Sequence, residues 1–215
     1  PIFYTPYITF PIDDRRKTGF LFPTLSSSKE NGFELTTPYY LNLAPNYDAT
    51  IAPRYIENRG MMLEAELRQK SRFGEWAIGG AQLKDDLFTE TPSPGSEEDT
   101  PSQENRWLGN IQQAGNILGL STRIDYSKVS DNDFFQDLST NSLELKRKKH
   151  LNQQATLGYR DDNWQVELTA QDHQTIDDLL NSQYQLMPQL SIERNNSGVN
   201  FETEWLLNAE FTSFQ

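Results

Sequence analysis

The sequence predicts an all-β protein: about ten strands of an antiparallel transmembrane β-barrel, preceded by a short separate β segment. Three observations carry this. Hydrophobic residues make up only 35% of the chain and the mean hydropathy is -0.73, yet aromatics reach 12%. Disordered chains of such polarity lack aromatics and β-branched residues, so these twelve Phe, nine Tyr and four Trp argue for a folded surface that is apolar on one side. Apolar and polar residues alternate over runs of roughly 9–13 residues, long enough to cross a bilayer when tilted. Finally, the runs are separated by short turn sequences, APN, ENRG and SRFG, which read as hairpins.

Residues 1–12, PIFYTPYITFPI, are extended by necessity, because Pro1, Pro6 and Pro11 exclude helix and restrict the residues before them. Such a proline-rich strand suits a sheet edge. The charged turn DDRRKTG and the stretch GFLFPTLSSSKENG follow, and residues 13–30 read as a hinge or connector. From about residue 31 the alternation is continuous. Phe33, Leu35, Thr37, Tyr39, Leu41 and Leu43 share one face of a first strand. Ala49, Ile51, Pro53 and Tyr55 share a face of the second, and Met61, Leu63, Ala65 and Leu67 of the third. Later runs are Leu118–Tyr126, Trp164–Ala170 and Val199–Phe211, the last placing Trp205 among its apolar residues and Glu202 and Glu204 opposite. Two connectors are long: the acidic, Pro- and Ser-rich 85–105, read as mobile, and 129–142 with its pair Phe134 and Phe135.

Charge and cysteine content exclude several functions. A net charge of -12 disfavours nucleic acid, which requires Lys and Arg clustered over a broad face. Without Cys this stretch holds no disulfide or thiolate metal site. The longest apolar runs are too short for a transmembrane helix. The chain starts at Pro1 without an initiator Met and stops within an alternating run, so it reads as a piece of something longer.

No catalytic site is expected, and no cofactor or metal. His150 and His173 lie in polar strand contexts without a visible orienting partner. DNDFFQD at 131–137 has the spaced acids of a calcium loop but lacks its glycine and terminal Glu. Asp161, Asp162, Asp177 and Asp178 fall at expected turns, where Asp is favoured. Two basic clusters stand out: Arg15, Arg16 and Lys17, and then Lys146 to Lys149. Each reads as a solvated turn or strand end, or else as a contact for an anionic partner such as a phosphorylated lipid.

Pro38 and Pro53 are the least ordinary residues. Both fall inside strongly alternating strands, where a missing N–H removes a ladder bond. Opposed residues share a face, so their numbers must sum to an even value on these two strands. Pro38 and Pro53 therefore cannot oppose each other, and a three-residue loop would place Pro53 opposite Tyr39 or Thr37. Because bonded and non-bonded pairs alternate, one proline removes a bond between the first two strands. The other removes one either at the outer seam or between strands two and three.

The stretches PIFYTPYITFPIDDRRKTGFLFP and PYYLNLAPNYDATIAPRYIENRG resemble the LptD family of outer-membrane lipopolysaccharide assembly proteins, as do RW (106–107) and DYSKVSDNDFFQD (125–137). The resemblance covers essentially the whole chain. It implies that residues 1–12 end a periplasmic β-jellyroll, with Phe3, Tyr4, Tyr7 and Phe10 on the lipid path. It implies that 13–30 are the hinge and that 31–215 open a large barrel; at that hinge Arg15, Arg16 and Lys17 would hold the jellyroll exit against the barrel or touch lipid phosphate. Prolines matching Pro38 and Pro53 would weaken a lateral gate through which lipopolysaccharide (LPS) reaches the outer leaflet. The implied partners are LPS, the lipoprotein plug LptE, the periplasmic bridge LptA and, during assembly, the Bam complex. If the N-terminus is periplasmic, the strand count just given places the short turns outside and the long connectors inside, the reverse of general outer-membrane barrels. A diffusion porin of about ten strands leaves the proline-rich N-terminal strand unexplained. A soluble β-sandwich binding module would bury the apolar face against a second sheet.

Overall fold

The computed structural model describes residues 16–87, 105–138, 150–176, 186–196 and 205–214. Thirteen strands and one short helix lie among them. In chain order these are β1 (Gly19–Phe20), β2 (Thr24–Ser28), β3 (Gly32–Thr36), β4 (Tyr39–Ala44), β5 (Tyr47–Ile56), β6 (Gly60–Ser71), β7 (Gly74–Leu83), β8 (Arg106–Ile117) and β9 (Leu120–Val129). The helix α1 (Phe134–Asp137) follows, then β10 (His150–Arg160), β11 (Trp164–Thr175), β12 (Leu186–Asn196) and β13 (Trp205–Phe214). All strands belong to one antiparallel sheet whose order follows the chain from β4 to β13, each strand paired with the next. No described helix is long and apolar enough to cross a membrane.

The sheet is inside-out by the standard of a water-soluble protein. On β5 the sheltered positions are Asp48, Thr50, Ala52, Arg54 and Ile56, while Ile51 and Tyr55 are exposed. Met61, Leu63 and Leu67 on β6 continue the exposed apolar face, opposite Tyr55, Pro53 and Ala49. Ile78, Leu157, Leu168, Leu207 and Phe211 extend it across later strands. Cross-strand pairs keep the face contiguous, as in Leu67↔Ile78, Leu157↔Leu168 and Leu190↔Phe211. Strands β5 to β13 are ten to twelve residues long. A sandwich would hide this face between two sheets; here a single sheet turns it outward.

Polar residues and one compact cluster occupy the other face. At one end of the sheet, residues 130–138 fold back over it, and Phe134, Phe135 and Leu138 pack against Ile56, Met62, Leu83, Leu108, Val129 and Leu151. The two Phe rings meet edge to face at 5.5 Å.

The structure corrects four expectations. The first strand is not continuous over 33–43 but breaks at Thr37–Pro38 into β3 and β4. The first hairpin turns on two residues, Pro45 and Asn46, after a bulge between Leu41 and Ala44, rather than on a three-residue loop. Leu118 belongs to a turn, at φ 54 beside Gly119 at φ 86, and β9 starts at Leu120.

The fourth correction concerns residues 19–28, expected as connector. They form β1 and β2, which run antiparallel along the outer edge of β4 and β3. TLSSS has no apolar alternation to announce a strand, yet its main chain completes an edge. This extra crossing changes the strand parity used above by one. Arg16 Nη2 donates to the Pro45 carbonyl at 2.5 Å, and the Asn42 amide donates to Thr18 Oγ1 at 2.9 Å. Residues 16–18 therefore sit at the same end as the short turns 45–46, 72–73, 118–119 and 161–163. The connectors beginning at 84 and 130 leave from the opposite end.

Candidate functional site

The site begins with two nitrogens that carry no hydrogen. β3 pairs with β5 as Thr36↔Arg54, and β4 pairs with it as Tyr39↔Ile51, so paired numbers sum to 90 on both sides of the break. That common register sets Pro53 opposite Thr37 and Pro38 opposite Ala52. The Thr37 amide donates to the Pro53 carbonyl at 3.1 Å. The return bond is missing, because Pro53 has no N–H. Pro38 then directs its main-chain groups to the other side, where its carbonyl accepts from the Leu21 amide at 2.9 Å. That return bond is missing as well. One gap therefore lies between the first two wall strands, as the parity of the residue numbers requires, and the other at the outer seam, one of the two places that parity left open. Each absent bond is worth about 0.5–1.5 kcal/mol net, more where a carbonyl is left unpaired in lipid.

A third proline belongs to the same level. Pro23 interrupts β1 and β2. The three prolines stand fifteen residues apart, at 23, 38 and 53. The turns at 29–31 and 45–46 fall midway between them, so the hairpins bring all three to one height across adjacent strands. Equal spacing was the available signal. It was hidden because 19–28 was not read as a strand.

Either side of this weak band is tied down. Toward the short turns, Asp48 is shared by Arg16 Nη1 at 2.7 Å, Arg68 Nε at 2.8 Å and Tyr40 Oη at 3.0 Å. Toward the opposite end, Arg54 of β5 pairs with the buried Glu34 of β3. Beyond it the turn at 29–31 meets the turn at 57–59. The Asn58 amide donates to the Asn31 carbonyl at 3.2 Å, and Asn58 Nδ2 to the Glu30 carbonyl at 2.9 Å. Arg59 Nε donates to Asn31 Oδ1 at 2.6 Å. Gly32 takes φ +71 here, and a Cβ on it would meet Glu57 Oε2 at 2.7 Å.

Arg59 extends this contact into a buried ion network. Its Nη1 lies 2.8 Å from Asp86 Oδ2 and its Nη2 lies 3.4 Å from Asp137 Oδ2. Arg106 reaches Asp137 at 2.7 Å, Asp131 at 2.5 Å and Asp86 at 3.4 Å. Asn31 Nδ2 also donates to the Asp137 carbonyl at 3.0 Å. Burial opposes ionisation of Asp131, but bonds from Arg106 and Ser130 prevail and hold its carboxyl below the usual range. Removing one partner of such a network strands the others' charges away from water.

These positions redistribute the expected roles. Arg16 is committed to Asp48, while Lys17 is exposed at the same end. Asp131 and Asp137 of the loop DNDFFQD serve as arginine partners. Asp161 caps its turn by accepting from the Asn163 and Trp164 amides at 2.8 and 2.7 Å, which lowers its pKa. His173 Nε2 lies 3.1 Å from Gln171 Nε2 on a strand, with no group of metal-binding residues among the described ones. Phe3, Tyr4, Tyr7, Phe10, Arg15, Lys146 to Lys149, Asp177, Asp178, Val199, Phe201, Glu202 and Glu204 lie outside the described residues, as do the side chains of His150 and Trp205 and most of the connector 85–105. Sequence reasoning missed Arg59, Asp86 and Arg106 as a unit. They come from separate turns and strand ends, and only the sheet brings them together.

Comparison with known proteins identifies the family. Residues 104–215 match the family model described as LPS transport system D, and residues 1–74 match that of LptD protein. The chain is 41% identical over 210 residues to the LPS-assembly protein LptD of Pseudomonas syringae pv. syringae (strain B728a), covering 94% of this chain and 22% of that protein. It is 41% identical over 211 residues to the LPS-assembly protein LptD of Pseudomonas entomophila (strain L48), covering 95% and 22% respectively. The chain thus spans about a fifth of the length of these relatives. By the family models, the relatives and an all-β sheet with its apolar face outward, this chain belongs to the LptD family.

Proposed function

We propose that this chain is the part of an outer-membrane lipopolysaccharide exporter where the barrel wall opens sideways. The observation that carries this reading is the pair of missing ladder bonds at Pro38 and Pro53, on the edge side of a sheet whose apolar face is outward. An acyl chain leaving a barrel must cross its wall without entering water, at a cost otherwise of about 0.8 kcal/mol per CH₂. A wall strand that lacks bonds on both sides is the cheapest place to part. The process moves lipid and makes no covalent change.

Orientation follows from the N-terminal end. A periplasmic segment preceding Arg16 would place the short turns in the periplasm and the long connectors outside, the usual arrangement of outer-membrane barrels. The loop 130–138 would then close the lumen near its outer mouth, leaving the polar face below it for a plug such as LptE. LptA would deliver lipid at the periplasmic end, where Lys17 adjoins the Arg16–Asp48 pair. The Bam complex would insert the strands.

A photo-reactive amino acid at Ala52, beside the seam, tests the reading in the full-length protein during active export. Capture of LPS at Ala52 and none at Ala77, in the continuous ladder between β6 and β7, is the expected result. Equal capture at both sites, or none at Ala52, would refute a lateral exit here.

A further inference from the structure

We propose that Arg194 and Trp164 form a binding site for the phosphate of an anionic phospholipid, on the outward face of the sheet at its short-turn end. The site rests on the orientation proposed above, which puts that end in the periplasmic leaflet, away from the leaflet that receives LPS.

The outward face is nearly free of charge. Directly opposed residues share a face, so the register assigns each described residue of β5 to β13 to the outward or the polar side. Among them only Lys128, Asp172 and Arg194 bring a charge to the outward face. Lys128 and Asp172 lie toward the finish of β9 and β11, at the end opposite the short turns. Arg194 stands alone at the short-turn end. It is opposite Trp164, the first residue of β11 after the turn 161–163, and opposite Leu207 on its other side. A cation is costly in hydrocarbon, but the water interface is where aromatic rings and long cationic side chains settle.

The guanidinium of Arg194 is set for an anion. Its Cζ lies 4.9 Å from the centroid of the Trp164 ring, within cation–π range. The ring takes one face of the guanidinium and leaves the N–H groups at its edge, and no described carboxylate bonds them. Arg160, across the same turn on the polar face, is engaged instead, donating through Nε to Gln165 Oε1 at 3.1 Å. Trp164 is itself held, because its amide donates to Asp161 Oδ1 at 2.7 Å. A planar fork of donors on a fixed ring accepts a phosphate by two parallel bonds. The apolar pairs Val166↔Ile192 and Leu168↔Leu190 continue the same face from this level, a surface for the acyl chains of the same lipid. A second stack marks this end: Arg72 Cζ lies 4.5 Å over the Phe73 ring, in the turn 72–73. Choline and ethanolamine neutralise their own phosphate. A headgroup without a cation leaves that charge for Arg194.

A photo-reactive amino acid at Leu207, which is exposed beside Arg194, tests the site. The full-length protein is reconstituted in phosphatidylcholine vesicles containing a minor fraction of phosphatidylglycerol, and captured lipid is identified by mass spectrometry. Phosphatidylglycerol should be captured about fivefold above its share of the bilayer, the preference that one cation contributes at an anionic surface. Capture at Leu157, on the outward face of β10, should follow the bilayer composition. Arg194 is exposed, so Arg194→Gln should assemble normally and return Leu207 to the bilayer composition, while Arg194→Lys keeps part of the enrichment. No enrichment in the parent, or enrichment that survives Arg194→Gln, would overturn the site. In cells the same probe should capture phospholipid. Capture of LPS at Leu207 would put this end in the other leaflet and overturn the inference together with the orientation, whereas the lateral exit is decided separately by capture at Ala52.

Discussion

Arg59 Nη1 lies 2.8 Å from Asp86 Oδ2, and both residues are buried although they come from different inter-strand segments. Arg59 also reaches Asn31, in the turn before the first wall strand. This contact fixes one end of the proline-weakened hairpin. Arg59→Met should destabilise the folded barrel by about 3–5 kcal/mol, because Asp86 loses its nearer cation in a dry site. Arg59→Met with Asp86→Leu should recover most of that loss. Denaturant midpoints of the purified full-length protein, compared across the double-mutant cycle, check the pair.

Asp131 supplies a pH dependence of known sign. Its folded pKa is depressed, so its contribution is complete above the unfolded carboxylate value of about 3.9 and fades as pH falls through the folded value. Amide exchange at Phe134 and Phe135 should stay slow from neutral pH to about 5 and quicken below about 4. Asp131→Asn should exchange faster at neutral pH and lose much of the acid dependence. An Asp131→Asn profile matching the parent would remove this carboxylate from the account.

The exposed apolar face predicts an asymmetry that no soluble sheet would show. Leu63 is 52% exposed, so replacing it would cost little in water. Facing lipid near the bilayer midplane, Leu63→Lys should cost about 2–4 kcal/mol. Glu66→Lys, on the polar face, should cost far less. Folding titrations into vesicles separate the two, and equal effects would contradict the assignment of faces.

Gly32 tests the contact between the two turns. At φ +71, with Glu57 Oε2 2.7 Å from an added Cβ, Gly32→Ala should cost about 1–2 kcal/mol. It should also speed amide exchange at Phe33, whose amide donates to Glu57 Oε2 at 2.7 Å. Unchanged exchange at Phe33 would separate the turn from that bond.

What was legible in the sequence follows from what alternation can encode. β5 and β6 have clean two-residue periods and were read in place. The parity of Pro38 and Pro53 excluded their pairing and allowed Thr37 as partner, which the Thr37–Pro53 hydrogen bond matches. The strand Thr24–Ser28 escaped because it is held by main-chain bonds alone and exposes every side chain. Missing it shifted the strand parity by one, since a single extra crossing exchanges the two ends of the sheet. The Arg59 and Arg106 network escaped for a different reason. Arg106 and Asp131 are 25 residues apart, and Arg59 and Asp137 meet only after the four strands between them have aligned. Periodicity carries no information about such contacts.

The central claim is that the missing bonds at Pro38 and Pro53 let the wall part. Pro38→Ala with Pro53→Ala would supply an N–H to Leu21 and another to Thr37, completing both ladders. The measurement is outer-membrane permeability to bulky antibiotics in cells carrying only the variant, at matched levels of assembled barrel. The account predicts normal assembly and a leaky membrane, because a closed seam delivers lipopolysaccharide too slowly. A double variant that assembles and keeps a full permeability barrier would contradict it.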